Sequence, residues 1–141
     1  MTKISFHYDR SELESFTNNF KNGLSNNLNA TTISEVSTAP IYTGCDNKKI
    51  GNIEFNYMIL QNNDKQTSSV SENIFIEFAG CANSSIYAVN QYESNNTQGS
   101  YVTNETYMCK IVSGTGKYSK AKGTIAIRAA VDLRLITIKL E

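Results

Sequence analysis

Eight strand-like segments, some alternating apolar and polar residues, follow one another along this chain, and that succession narrows the possible folds more than any other feature. They cover residues 3–8, 31–42, 51–60, 73–79, 85–92, 103–112, 124–130 and 133–140. Period-two alternation is the pattern of a strand with one buried and one solvated face. Ile53, Phe55, Tyr57 and Ile59 give the clearest case. The connections are short and rich in Asn, Asp, Ser and Gly, as the turns of antiparallel hairpins require. Helices do not alternate with the strands, which excludes the crossover units of a parallel sheet. What remains is an antiparallel meander, and closing it into a barrel removes the two exposed edges. The expected fold is all-β: an eight-stranded antiparallel up-and-down barrel with one short helix near the N-terminus, forming a single domain over residues 1–141.

The helix is expected where the alternation breaks. Ser11 and Glu14 have the spacing of a capping box, Leu13, Phe16 and Phe20 share one helical face, and Gly23 can end the run. That would make a helix of about three turns at one barrel end. Asn18, Asn19 and Asn22 are poor helix formers and leave an irregular polar loop as the alternative. The polar stretches 61–71 and 93–100 read as mobile hairpin loops at the barrel mouths.

Charge and cysteine content exclude several function classes. Lys plus Arg and Asp plus Glu number 13 each, so the net charge is zero. A neutral chain has no bulk electrostatic attraction to nucleic acid or an anionic bilayer. No window reaches the roughly 18 apolar residues of a membrane span, and the N-terminus lacks the apolar stretch of a signal peptide. Cys45, Cys81 and Cys109 are odd in number and widely spaced. They read as free thiols in a reducing compartment, so a cytoplasmic protein is expected. A secreted form whose signal was removed remains the alternative. The four Asn-x-Ser/Thr sequons, at Asn29, Asn83, Asn95 and Asn104, do not argue for secretion in a chain so rich in these residues.

Between two apolar runs stands the sequence Val112-Ser113-Gly114-Thr115-Gly116-Lys117-Tyr118-Ser119-Lys120-Ala121-Lys122-Gly123. It lacks the third glycine of a dinucleotide fingerprint and the spacing of a phosphate-binding P-loop. A β-branched segment follows it, so no helix N-terminus is offered to a phosphate. Its glycines read instead as a tight, bulged connection between strands.

The same stretch resembles the Val-Gly-Gly-Thr-Gly-x-Phe-x-x-Ala-Arg-Gly signature of dirigent proteins, and the corresponding turn of the allene oxide cyclase family. Lys49-Ile50-Gly51-Asn52-Ile53 is similar to an early glycine-bearing strand of that group, and residues 75–80 and 84–92 to its following hairpin. Asp9, after Phe6-His7-Tyr8, stands where dirigents carry an aspartate. Lys122 replaces the signature arginine, keeping the charge without the bidentate fork, and Ser113 replaces a glycine. The resemblance implies an eight-stranded barrel, a dimer or trimer, and an apolar lumen that steers isomerisation or cyclisation of a hydrophobic molecule.

Candidate site residues follow from charges inside apolar strands, because an unpaired buried charge is costly. Glu54, Glu77, Arg128 and Arg134 qualify. Arg128 shares a strand face with Thr124, Ala126 and Ala130, which makes either room for a ligand or a solvent side. Glu77 reads equally as lumen or surface, and Glu54 as surface. Asp9 is a general acid by the resemblance and a strand-to-turn residue by its neighbours. The expected catalytic set is Asp9, Glu77 and Arg128; the expected substrate-binding set is Tyr57, Tyr87, Tyr107 and Lys122. His7 is the sole histidine, and no metal-ligand spacing or cofactor motif occurs, so no metal and no organic cofactor are expected. The expected function is binding of a hydrophobic small molecule in the lumen, with isomerisation or cyclisation. The alternative is a non-catalytic scaffold or interaction module with a packed interior.

Overall fold

The computed structural model describes residues 2–21, 30–44, 46–62, 64–80, 84–94, 101 and 103–141. The expectations placed on Gly23, Cys45, Cys81 and residues 95–100 lie outside them. Among the described residues nine strands run in chain order: β1 Thr2–Asp9, β2 Glu14–Lys21, β3 Ala30–Thr43, β4 Lys49–Asn62, β5 Thr67–Phe78, β6 Ser85–Ser94, β7 Thr106–Thr115, β8 Gly123–Ala129 and β9 Leu133–Leu140. From β3 to β9 each strand pairs antiparallel with the next. β1 pairs with β9 along its whole length and closes the circle on β3 through Phe6↔Thr43 and His7↔Tyr42. The result is a closed eight-stranded antiparallel barrel with β2 as an extra strand.

The expected three-turn helix is replaced by one 3-10 turn at Arg10–Glu12 followed by β2. Asp9, not Ser11, caps that turn, its carboxylate accepting from the Ser11 amide at 2.9 Å. The physical reason lies in the partner strand. β3 is 14 residues long and β1 pairs with only two of them, so the rest of that edge is open. β2 fills it with eight registered pairs, from Glu14↔Thr38 to Lys21↔Thr31. A segment rich in Ser, Thr and Asn gains more from that ladder than from helical bonds it forms poorly. The expected loop over 61–71 is shorter than its polarity suggests. β4 runs to Asn62 and β5 starts at Thr67, so Ser68, Val70 and Glu72 belong to a strand.

One face of every barrel strand supplies the interior. Ile41, Ile53, Phe55, Ile74, Ile76, Ile86, Ile125, Ile127 and Ile138 are all fully buried. Burying an isoleucine stabilises by about 1.5–3 kcal/mol relative to leaving it exposed. At one end Phe78 meets Phe6 edge-on at 6.2 Å and Tyr118 at 5.0 Å, forming an aromatic floor. Tyr118 comes from the glycine segment, which folds as a 3-10 turn at Gly116–Tyr118. Gly114 has no room for a side chain, because a Cβ there would run into the Tyr118 carbonyl. Gly116 sits at φ 57°, the left-handed region that favours glycine. The motif therefore seats a floor residue.

Candidate functional site: a buried acid ringed by tyrosines

The opposite half of the interior holds a buried acid. β5 carries Val70, Glu72, Ile74 and Ile76 on its inward face, so the parity that buries the isoleucines also buries a carboxylate. Glu72 is 1% exposed. The Tyr101 hydroxyl donates to both of its oxygens, at 2.9 Å to Oε1 and 2.8 Å to Oε2. Asn90, opposite Glu72 in the β5–β6 register, donates its side-chain amide to Oε1 at 3.2 Å. The Cys109 thiol lies 3.8 Å from the same oxygen. Removal from water favours the neutral acid and raises the Glu72 pKa, while these donors partly oppose the rise. The buried Cys109 thiol is pushed up by the same desolvation and by the neighbouring carboxylate, which makes it a poor nucleophile.

Aromatic rings enclose this acid. Tyr101 stacks on Tyr107 at 4.2 Å and 16°, and both rings meet Tyr92, at 5.9 and 5.1 Å. Tyr57 stacks on Phe55 at 5.6 Å, and Tyr8 meets Phe55 at 5.6 Å and a tilt of 55°. Burial raises the pKa of Tyr8, Tyr57, Tyr92 and Tyr101 far above the phenol range, so all four stay neutral hydroxyls. Arg134, buried on β9 opposite Tyr8, donates to the Ala130 carbonyl at 2.7 Å. Its guanidinium stands 5.9 Å from the centre of the Tyr101 ring. Acid, cation and hydroxyls thus share one end of a low-dielectric interior, where each acts more strongly than in water.

An open cleft lies on the outer face of the strands beside them. Pairing between β6 and β7 ends at Val89↔Lys110, although β6 continues to Ser94 and β7 starts at Thr106. Where the two strands part, a cleft of about 510 Å³ is lined by Ser71, Asn73, Gln91, Met108 and Lys110. Glu72 and Asn90 form part of its wall. A second groove, of about 360 Å³, lies at the β1–β3 seam between His7, Asp9, Glu12 and Tyr42.

The residues expected from sequence are distributed around both regions. Tyr57 and Tyr107 sit in the tyrosine ring. Tyr87 is on the outer face, donating to Asn73 at 2.7 Å. Glu77 and Arg128 are exposed on the outer faces of β5 and β8. Lys122 is exposed beside the glycine turn, its carbonyl accepting from the Glu141 amide. Asp9 lines the seam groove, and two bonds from Ser11 hold its carboxyl below the usual range. Glu72 and Asn90 were not among the expected residues; Tyr101, one of the tyrosines that read from sequence as core or rim residues, was not in the expected substrate-binding set. Extending the parity of Ile74 and Ile76 back through Glu72 was the signal that could have found the acid.

No protein-family model and no curated protein matches this chain. By its geometry it is a small antiparallel β-barrel with a buried acid at one end. Its fold is similar to the solved structure of pyocyanin demethylase, with a TM-score of 0.62 over 99% of this chain and 100% of that one. The sequence identity is 13%, so the likeness is one of fold.

Proposed function

We propose that this protein binds a hydrophobic small molecule at the Glu72 end of its barrel and isomerises or cyclises it. The observation that carries the reading is the buried Glu72 carboxyl, ringed by neutral tyrosines. A carboxyl whose pKa is raised by burial is available as a proton donor closer to neutrality than an ordinary glutamate. The tyrosine rings supply apolar area and hydroxyls that orient an oxygen on the ligand. A preorganised apolar site that holds one productive conformer needs few further groups. Two likenesses support the reading: the glycine signature of the allene oxide cyclase and dirigent group, and the barrel shared with an enzyme named for a small-molecule substrate. The proposal extends to a cytoplasmic homo-oligomer, dimer or trimer, built from one barrel domain per chain.

A second reading, the non-catalytic scaffold, draws on the fully buried isoleucines that pack much of the interior. The two separate by native mass spectrometry of protein purified from its own host, with chemical analysis of whatever denaturation releases. A stoichiometric hydrophobic molecule is expected, and its turnover by wild type but not by Glu72→Gln would complete the case. Protein free of ligand under conditions that preserve weak complexes would overturn the binding reading in favour of the scaffold.

A further inference from the structure

We propose that the open edge of β2 is a dimerisation surface, and that its occupant is β2 of a second copy of this chain, paired antiparallel about a two-fold axis at Asn18. The proposal is independent of the ligand reading; it rests on the homo-oligomer reading and chooses the dimer over the trimer. β2 ends the strand order, and among the described residues it pairs only with β3, from Glu14↔Thr38 to Lys21↔Thr31. β1 pairs with β3 at Tyr42 and Thr43, beyond the stretch that β2 takes. Every second residue of such an edge directs its N–H and C=O away from the sheet, as a template for another strand. Edges that stay single are guarded by charges, prolines or bulges. β2 carries its two charges at its ends, Glu14 and Lys21, and Ser15-Phe16-Thr17-Asn18-Asn19-Phe20 between them holds neither charge nor proline. Its register with β3 runs without a bulge.

The strand is complementary to itself. A two-fold axis normal to the sheet keeps each residue on its own face, so only positions of like parity can stand opposite one another. Centring the axis on Asn18 opposes Phe16 to the partner's Phe20, Thr17 to the partner's Asn19 and Ser15 to the partner's Lys21. The Phe16 position thus gains an aromatic cross-strand partner, twice over by symmetry. Centring on Thr17 or on Asn19 would oppose each Phe16 to an asparagine. Antiparallel pairing also sets the Glu14 end of one protomer at the Lys21 end of its partner, so like charges stay apart. The outer face beside this edge is apolar. Phe16 is 72% exposed, and Met58 and Leu60 stand exposed two strands in, at the Asn18 and Phe20 levels of the register. Pairing an edge with its own copy is isologous and closes at two.

The test is sedimentation equilibrium of the full chain from about 1 μM to about 1 mM, the range in which a small edge contact associates. Wild type should pass from monomer to dimer. Phe16→Lys, at an exposed position, should raise the dimer dissociation constant about tenfold or more while circular dichroism shows the same barrel. A second variant reads the register directly, in a background carrying Cys45→Ser and Cys81→Ser and keeping the buried Cys109. Asn18→Cys there stands opposite its own copy at a Cα spacing of about 4.5–5.5 Å, which a disulfide spans. Mild oxidation should join it into a covalent dimer. Phe16→Cys, whose copies stand about 13 Å apart along the strands, should stay uncoupled. A trimer, or a dimer that Phe16→Lys leaves intact and Asn18→Cys does not cross-link, would overturn the β2 edge while keeping the homo-oligomer. Coupling of Phe16→Cys in place of Asn18→Cys would overturn the axis at Asn18. Wild type that stays monomeric throughout would overturn the proposal together with the homo-oligomer, and would leave the ligand reading untouched.

Discussion

Replacing Glu72 by glutamine should remove one specific component of the protein's pH-dependent stability. Glu72 is 1% exposed, and desolvation raises its pKa against the opposing pull of Tyr101, Asn90 and Cys109. Its folded pKa therefore lies above the ordinary glutamate value of about 4.3. Between those two values the native state holds a proton that the unfolded chain has released. Stability from this group is complete below the unfolded value and is lost as pH rises through the folded one. The slope cannot exceed about 1.4 kcal/mol per pH unit for one proton, and each unit of upward shift costs about 1.4 kcal/mol at high pH. Asp9 and Asp46, whose carboxyls are held low by Ser11 and Thr43, contribute with the opposite sign, losing stability as pH falls. Urea unfolding of wild type and Glu72→Gln between pH 4 and 8 isolates the term by difference. Relative to the variant, wild type should lose stability steadily as pH rises above about 4.3 and then level off. Near pH 4, where both side chains are neutral, the two proteins should lie within about 1.5 kcal/mol of each other, the worth of one hydrogen bond. A difference curve that is flat, or that rises with pH, would refute the placement of Glu72 in a dry interior.

Two further outcomes test the barrel that holds this acid. Ile127→Ala removes a fully buried side chain from β8 and should cost about 2–5 kcal/mol in denaturant unfolding with the slope unchanged; a cost under about 1 kcal/mol would mean the interior there is not packed. Gly123→Ala puts a Cβ against the Lys139 carbonyl at φ +140° and should cost about 1–3 kcal/mol from backbone strain alone; a neutral effect on the melting curve would refute the close β8–β9 approach.

Much of the barrel was legible in the sequence because period-two patterning is a local property. Ile53, Phe55 and Ile59 each declare the same buried face, and Ile125 and Ile127 do so for β8. Antiparallel topology follows from short turns, which leave no chain for crossovers. Tyr57 and Tyr107, expected as ligand contacts, lie in the tyrosine ring for the same reason: they share parity with buried neighbours. Where apolar residues were sparse, the local signal failed. Phe16 and Phe20 fit a helical spacing as well as a strand, and only the open edge of β3 made the segment a strand. Phe16 then stands 72% exposed, which no helical-face argument would assign.

The sequence by itself determined a closed antiparallel β architecture, a glycine-dependent turn before β8, and an interior made mainly of isoleucine. Each follows from residue-by-residue alternation or from backbone conformations open to glycine. Tertiary structure alone decided where the chemistry lies. Local parity puts Glu72 and Glu77 on opposite faces of β5, but it does not say what the inward one meets. Glu72, Asn90, Tyr101 and Arg134 come from four separate regions, and closing the barrel brings their charges, donors and rings to one end. No local pattern encodes that meeting, because it depends on the register of strands distant in sequence.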